Sequence, residues 1–214
     1  MQAIRIRRGV ERIAFAGGLL VAGGAFAADF PVSGTLSVNG NSGALPDGGA
    51  FGDSTYDAST GVLSAGAFSF PQTTTSFPSD LGTVVVTYRL TQTDTSTGLV
   101  DADGTAALTN TSLSLNVTHV TISGIPISVG ACVFQPIDIA LAGTASATEL
   151  DLADTGFSIP EVAPSACGGY GDQINQAIAG TNNAIDVVME GDFTPPVGDD
   201  TIFADGFELG AAAR

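Results

Sequence analysis

Between Val32 and Val38 the apolar Val32, Leu36 and Val38, with Gly34 in phase, alternate with Ser33, Thr35 and Ser37. A period of two predicts a half-buried strand. The same alternation returns from Thr83 to Thr91, with Val84, Val86, Tyr88 and Leu90 on one face and Val85, Thr87, Arg89 and Thr91 on a wet one. From Ser112 to Thr118 the inward residues are Leu113, Leu115 and Val117, but the continuation places its apolar residues at Val120 and Ile122. A shift of one in a period of two would turn the second set to solvent, so a bulge or bend is predicted near Thr118-His119. Ile137, Ile139 and Leu141 predict another strand, and Ile185, Val187 and Met189 the last. One segment has a different period: Ile174 and Ile178 share a face at i,i+4, predicting a helix over Asp172 to Ala179 with Gly180 at its C-terminal cap.

The intervals carry turn chemistry. Asn39-Gly40-Asn41-Ser42-Gly43 and Pro46-Asp47-Gly48-Gly49 read as turns, Gly124-Ile125-Pro126 as a break in the ladder, and Pro136 as the end of the run around Cys132. Tyr56-Asp57-Ala58-Ser59-Thr60-Gly61 and Thr93-Asp94-Thr95-Ser96-Thr97-Gly98 are near copies, each with Asp where a turn begins and Gly where a positive φ is wanted, and predict two hairpins. About eight short strands at regular spacing and a single short helix near the C-terminus argue for an all-β fold, an antiparallel β-sandwich or β-barrel.

The amino end has its own pattern. Arg5, Arg7, Arg8 and Arg12 precede the apolar stretch Ile13 to Phe26, which closes on Ala25-Phe26-Ala27. A basic start, a short apolar middle and an Ala-x-Ala end are the parts of a secretory signal peptide, and the middle falls short of the ~20 residues that span a bilayer. Residues 1–27 are therefore expected to be removed, residues 28–193 to form a single β domain, and residues 194–214 a linker and tail. No transmembrane segment is expected in the mature chain. Removal takes four of the six basic residues and one of the 22 acids, leaving 21 acids against Arg89 and Arg214, a net charge near −19. A surface of one sign repels phosphate backbones and anionic lipid headgroups, which excludes nucleic acid as a partner class.

Candidate chemistry is sparse. Cys132 and Cys167, alone in an exported chain, point to one disulfide; the alternative is a pair of free thiols with a catalytic or metal role. His119 is the sole histidine and the only base on which a Ser-His-Asp triad could be built, and no Gly-x-Ser-x-Gly elbow accompanies it. One histidine and two cysteines cannot make a soft zinc site. Asp101-Ala102-Asp103-Gly104 resembles the opening of a calcium loop and Asp199-Asp200 offers another acidic pair, but no closing Glu follows Gly104, and an ordinary hairpin turn is the rival reading. Among the 12 phenylalanines, Phe51, Phe68, Phe70, Phe77 and Phe134 could line an apolar cavity for a lipid or isoprenoid inside a closed barrel, or simply fill a core. No catalytic residue and no cofactor is assigned.

Two resemblances follow from particular residues. Gly124-Ile125-Pro126, Cys132, Pro136-Ile137, Ile159-Pro160, Cys167-Gly168-Gly169, Ile174-Asn175 and Asn182-Asn183 resemble the two-cysteine second half of an uncharacterised secreted β-rich family common in actinobacteria. The likeness spans roughly residues 30 to 193, is carried mainly by residues 124 to 193, and implies an exported, disulfide-linked domain, with no catalytic residues to carry over. Ile202-Phe203-Ala204-Asp205-Gly206-Phe207-Glu208 resembles the I-F-x-D-G-F-E tail of exported gammaproteobacterial proteins, except that six residues follow Glu208. That likeness implies a sorting or processing tag and its machinery as a partner. The expectation is a secreted, periplasmic or cell-surface domain, acidic and non-catalytic. Its alternatives are a barrel carrier of a hydrophobic ligand and a calcium-stabilised adhesive module.

Overall fold

The computed structural model describes residues 28–79 and 82–198. Fifteen strands run through them in chain order: β1 (Ala28–Val38), β2 (Asn41–Ala44), β3 (Gly49–Ser54), β4 (Tyr56–Asp57), β5 (Val62–Ser69), β6 (Thr73–Ser79), β7 (Gly82–Gln92), β8 (Ser96–Val100), β9 (Thr105–Thr109), β10 (Thr111–Ile122), β11 (Ile125–Ile127), β12 (Val133–Ile139), β13 (Ala142–Ala145), β14 (Glu149–Ile159) and β15 (Gly180–Glu190). A 3-10 turn at Cys167–Gly169 leads into the one α-helix among the described residues, α1 (Gly171–Ile178). The fold is all-β with a short helix near the C-terminus, as the periodicity predicts.

Eight of these strands close into an antiparallel barrel, in the order β1-β15-β14-β13-β9-β8-β5-β3 and back to β1. The interior is filled by side chains, which an eight-stranded barrel has just room to hold. Phe51, Leu63, Val100, Leu150, Leu152, Val187 and Met189 are all buried there. Gly66 on β5 leaves the space for the Phe51 ring, since a Cβ on Gly66 would stand 2.5 Å from Phe51 Cε1. Burying a ring of that size stabilises by about 1.5–3 kcal/mol.

The long strands β1, β15 and β14 run beyond the barrel into a second half whose other wall is the sheet β6-β7-β10-β12, with β11 as a short hairpin partner of β10. A single apolar cluster fills both halves. The chain passes from β7 of the outer sheet to β8 of the barrel through a corner held by Gln92. Its Oε1 accepts the Phe68 N–H at 2.6 Å, and its Nε2 donates to the Ser96 hydroxyl, which bonds Thr111 Oγ1 at 2.8 Å.

Parity reversals are absorbed by bulges. On β10, Val117 pairs with Tyr88 and His119 with Thr87, so Thr118 is the extra residue and Val117 and Val120 are both buried. The predicted bulge is present where the parity breaks. Pro136 differs from expectation: β12 runs through it, and a register shift opposite Leu113 to Leu115 keeps Phe134 and Ile137 on the same inner face. A proline, lacking the N–H, is tolerated at such an irregular position. Ile125-Pro126 likewise does not end pairing, because Ser123 and Gly124, both with positive φ, turn the chain back so that β11 pairs with β10.

The near-copy turns also part company. Asp57 opens a hairpin between β4 and β5, its carboxylate accepting the Ser59 N–H and hydroxyl. Thr93 to Gly98 forms the sheet-to-barrel corner instead, since β7 and β8 do not pair with one another. The count of about eight strands falls short because β3, β9 and β13 are built from Gly, Ala, Ser and Thr with few large apolar residues, leaving little period-two signal.

Cys132 and Cys167 are disulfide-bonded, with their Cα atoms 4.4 Å apart and both side chains fully buried. The bond ties the 3-10 turn to the loop before β12. Beside it Gly168, at φ 68°, lies so close to that loop that a Cβ would stand 2.0 Å from the Ser128 carbonyl oxygen. Helix α1 turns Ile174 and Ile178 toward the core. It ends at Ala179, and Gly180 opens β15 rather than capping the helix. Asn183, 2 % exposed, holds this end together: its Oδ1 accepts the Asn39 N–H, and its Nδ2 donates to the carbonyls of Phe157 and Gly180. No helix among the described residues is long and apolar enough to cross a membrane.

Candidate functional site

The second half of the molecule is a ring with two breaks. On one side β12 faces β14 and no ladder joins them among the described residues; on the other, β2 (continuing from β1) and β6 (continuing from β7) are both unpaired toward each other. Each break coincides with a cavity.

The opening between β12 and β14 has a volume of about 840 Å³ and is lined by Asp94, Asp138 and Asp154 among both polar and apolar neighbours, Ile139 and Phe157 included. It is stapled by Asp154, whose Oδ2 accepts the Ala140 N–H at 2.7 Å while Oδ1 accepts the Gly156 N–H at 2.8 Å. Both of its oxygens are therefore engaged by the scaffold.

The opening between β2 and β6 has a volume of about 570 Å³. Asn41, Ser42, Gly43, Thr75 and Ser76 form its mouth, and behind them lie the apolar side chains of the inner faces of β1, β7 and β10. Helix α1 closes one end with Gln176 to Ile178. The Asn39 Nδ2 bond to the Gln176 carbonyl, 3.0 Å, joins the β1–β2 turn to that helix. Tyr88 stands half-buried in this wall, and its burial raises the phenol above its ordinary pKa.

The phenylalanines proposed as cavity lining are elsewhere. Phe68, Phe70 and Phe134 are buried in the packed core, with Phe68 against Phe51 at a centroid distance of 4.8 Å, and they line neither opening. Phe77 belongs to β6, but its side chain lies outside the described residues. Of the two readings, cavity lining and core filling, Phe51, Phe68, Phe70 and Phe134 follow the second, and the apolar space lies beside the barrel, where two strand edges fail to meet.

The remaining candidates have scaffold positions. His119 is exposed on β10, where its backbone pairs with Thr87, and its side chain makes no hydrogen bond to any described residue. Asp101 and Asp103 belong to the hairpin between β8 and β9, where Asp103 Oδ1 accepts the Thr105 N–H at 2.9 Å. That bond is the main cause of its lowered carboxyl pKa. Asp57 and Asp192 are lowered in the same way, chiefly by the hydroxyls of Ser59 and Thr194. No group of three His, Cys, Asp or Glu among the described residues is placed to hold a metal ion. Asp199, Asp200, the signal segment and the tail motif lie outside the described residues.

The far end of the barrel is floored by Phe193, which is fully buried and packs on Phe30 at 4.9 Å and Tyr56 at 5.4 Å. The Tyr56 hydroxyl donates to the Thr194 carbonyl, and the phenol pKa is raised by burial first and then by Asp192 and Asp57. Pro195 and Pro196 cross this floor beside Gly104 and Gly61, so the segment read as a linker lies against the barrel as far as it is described.

Leu36, Val38, Val86, Tyr88, Leu115 and Val117 show in the sequence as inner strand positions, but nothing local marks that they share an opening. That follows from the absence of pairing between β2 and β6, for which no local pattern exists. No family model, no curated protein and no solved structure matches the chain.

Proposed function

We propose that the protein is an exported, acidic, non-catalytic β-domain that acts by binding, at the cell surface or outside the cell. The observation that carries this reading is the engagement of its polar groups by the fold itself. Asp57, Asp103, Asp154 and Asp192 hold backbone amides. Ser54 and Ser96 are buried side chains whose hydroxyls are hydrogen-bonded within the fold, and His119 faces outward beside its bulge. The disulfide and the signal-like amino end support export. The test is a broad panel of ester and glycoside substrates with the purified mature chain. No turnover above background is expected; enzymic turnover abolished by His119→Ala or by Asp138→Asn would end this reading.

A carrier of a hydrophobic ligand is the second reading, favoured by the apolar opening between β2 and β6. Mass spectrometry of organic extracts of native protein tests it. A stoichiometric apolar compound is expected, and its absence from freshly exported material counts against a carrier.

A further inference from the structure

We propose that the opening between β2 and β6 binds one uncharged, largely apolar small molecule whose hydrogen-bond acceptor meets the Tyr88 hydroxyl. The inference names the site and ligand class of the binding reading above, and therefore rests on it. Five observations converge on it.

The volume, about 570 Å³, is in the range of small-molecule sites. The walls come from β1, β7, β10 and α1, elements already fixed by ladders, the disulfide and the Asn183 bonds, so the space is largely pre-formed. Leu36, Val38 and Tyr88 are only partly buried against the core, leaving apolar surface that a ligand would remove from water.

The lining carries no Asp, Glu or Arg, in a chain with 22 acids and net charge −16. An organic anion would meet repulsion with no cation to receive it. An organic cation would find its carboxylates at the other opening, with Asp94, Asp138 and Asp154. A neutral ligand suffers neither disadvantage. Tyr88 supplies direction, because its hydroxyl makes no hydrogen bond to any described residue while its ring is half-buried in the wall. Among the described residues no buried side-chain oxygen or nitrogen lacks a partner, so this hydroxyl is open to the space and can donate to a ligand acceptor there.

The experiment uses the mature, oxidised chain and two fluorescent dyes, the neutral Nile red and the anionic 1-anilinonaphthalene-8-sulfonate. One saturable Nile red site per chain is expected, with a Kd on the order of micromolar, and at least about tenfold weaker binding of the anionic dye. Gly43→Trp places a ring at the mouth from a position where a Cβ meets nothing within 4 Å, and is expected to weaken Nile red about tenfold or more with the melting temperature unchanged. Gly156→Trp is equally unobstructed but lines the other opening, and is expected to leave binding unchanged. Tyr88→Phe is expected to weaken it about two- to tenfold.

Lack of saturable Nile red binding, equal affinity for the two dyes, or full binding by Gly43→Trp would overturn the site. Unchanged binding by Tyr88→Phe would overturn the hydrogen bond. Were Gly43→Trp to fold poorly, methyl NMR shifts on adding Nile red decide the same point: shifts confined to Leu36, Val86 and Leu115 support the site, and shifts centred on Ile139 overturn it. Dye binding reads occupancy and the substrate panel reads turnover, so failure of this inference and failure of the non-catalytic reading are distinguishable.

Discussion

Asp154 Oδ2 accepts the backbone N–H of Ala140 at 2.7 Å, and this bond joins β14 to the end of β12 where the two strands share no ladder. The seam and the ligand-sized gap are the two interruptions of one ring, and only the seam carries a charged staple. Asp154→Ala leaves the Ala140 and Gly156 amides without their acceptor and is expected to lower stability by about 1–2 kcal/mol. Urea unfolding of the purified variant measures it; an unchanged midpoint would mean that water replaces the carboxylate without cost.

Asn183 is the polar centre of the end where the β1–β2 turn meets α1 and β14. Asn183→Ala strands the Asn39 N–H and two carbonyls around a 2 % exposed site, which is expected to cost about 2–3 kcal/mol. The loss should be local as well as global. Limited proteolysis is expected to cut first around α1, because the Asn39 link to Gln176 depends on the same turn.

The disulfide closes a span of 35 residues, worth roughly 3–4 kcal/mol in the chain-entropy account. The double substitution Cys132→Ser, Cys167→Ser is expected to lower the unfolding free energy by that amount. Both sulfurs are buried, so alkylation under native reducing conditions is expected to be slow and to accelerate with denaturant.

Acid should weaken the fold through its turns. Asp57, Asp103 and Asp192 have carboxyls held below the ordinary range by hydroxyl and amide donors, so the unfolded chain takes up protons first as pH falls. Their contribution is fully present above about pH 4 and is lost as pH drops through the folded values. Melting temperatures measured from pH 5 downward are expected to fall more steeply for the parent chain than for the triple Asp→Asn variant. Parallel slopes would show that these turns are not the acid-sensitive elements.

Much of this architecture is legible in the sequence because the strands are half-buried. Val84 to Leu90 and Leu113 to Val117 announce their inner faces, and the jump from Val117 to Val120 marks the Thr118 bulge. The same device occurs in β14, where Leu150 and Leu152 give way to Phe157 and Ile159 across a register shift. That reversal was available to the same reasoning. Pro136 misleads because a proline reads as a stop, whereas a bulge on β12 accommodates it. The openings leave no local trace. They arise from which strands end up without a neighbour, and that is decided by pairings between segments far apart in the chain.

Among the described residues the first strand, β1, shares its longest register with the last, β15: Val32 lies opposite Met189, 157 positions later. A chain delivered amino end first, whether from a ribosome or through an export channel, holds β1 without that neighbour until Glu190 has emerged. Closure is then a terminal event, governed by slow, long-range loop formation. Until it happens the waiting segments expose unpaired edges that invite strangers. The topology therefore leaves the barrel open until almost all of the described chain is present.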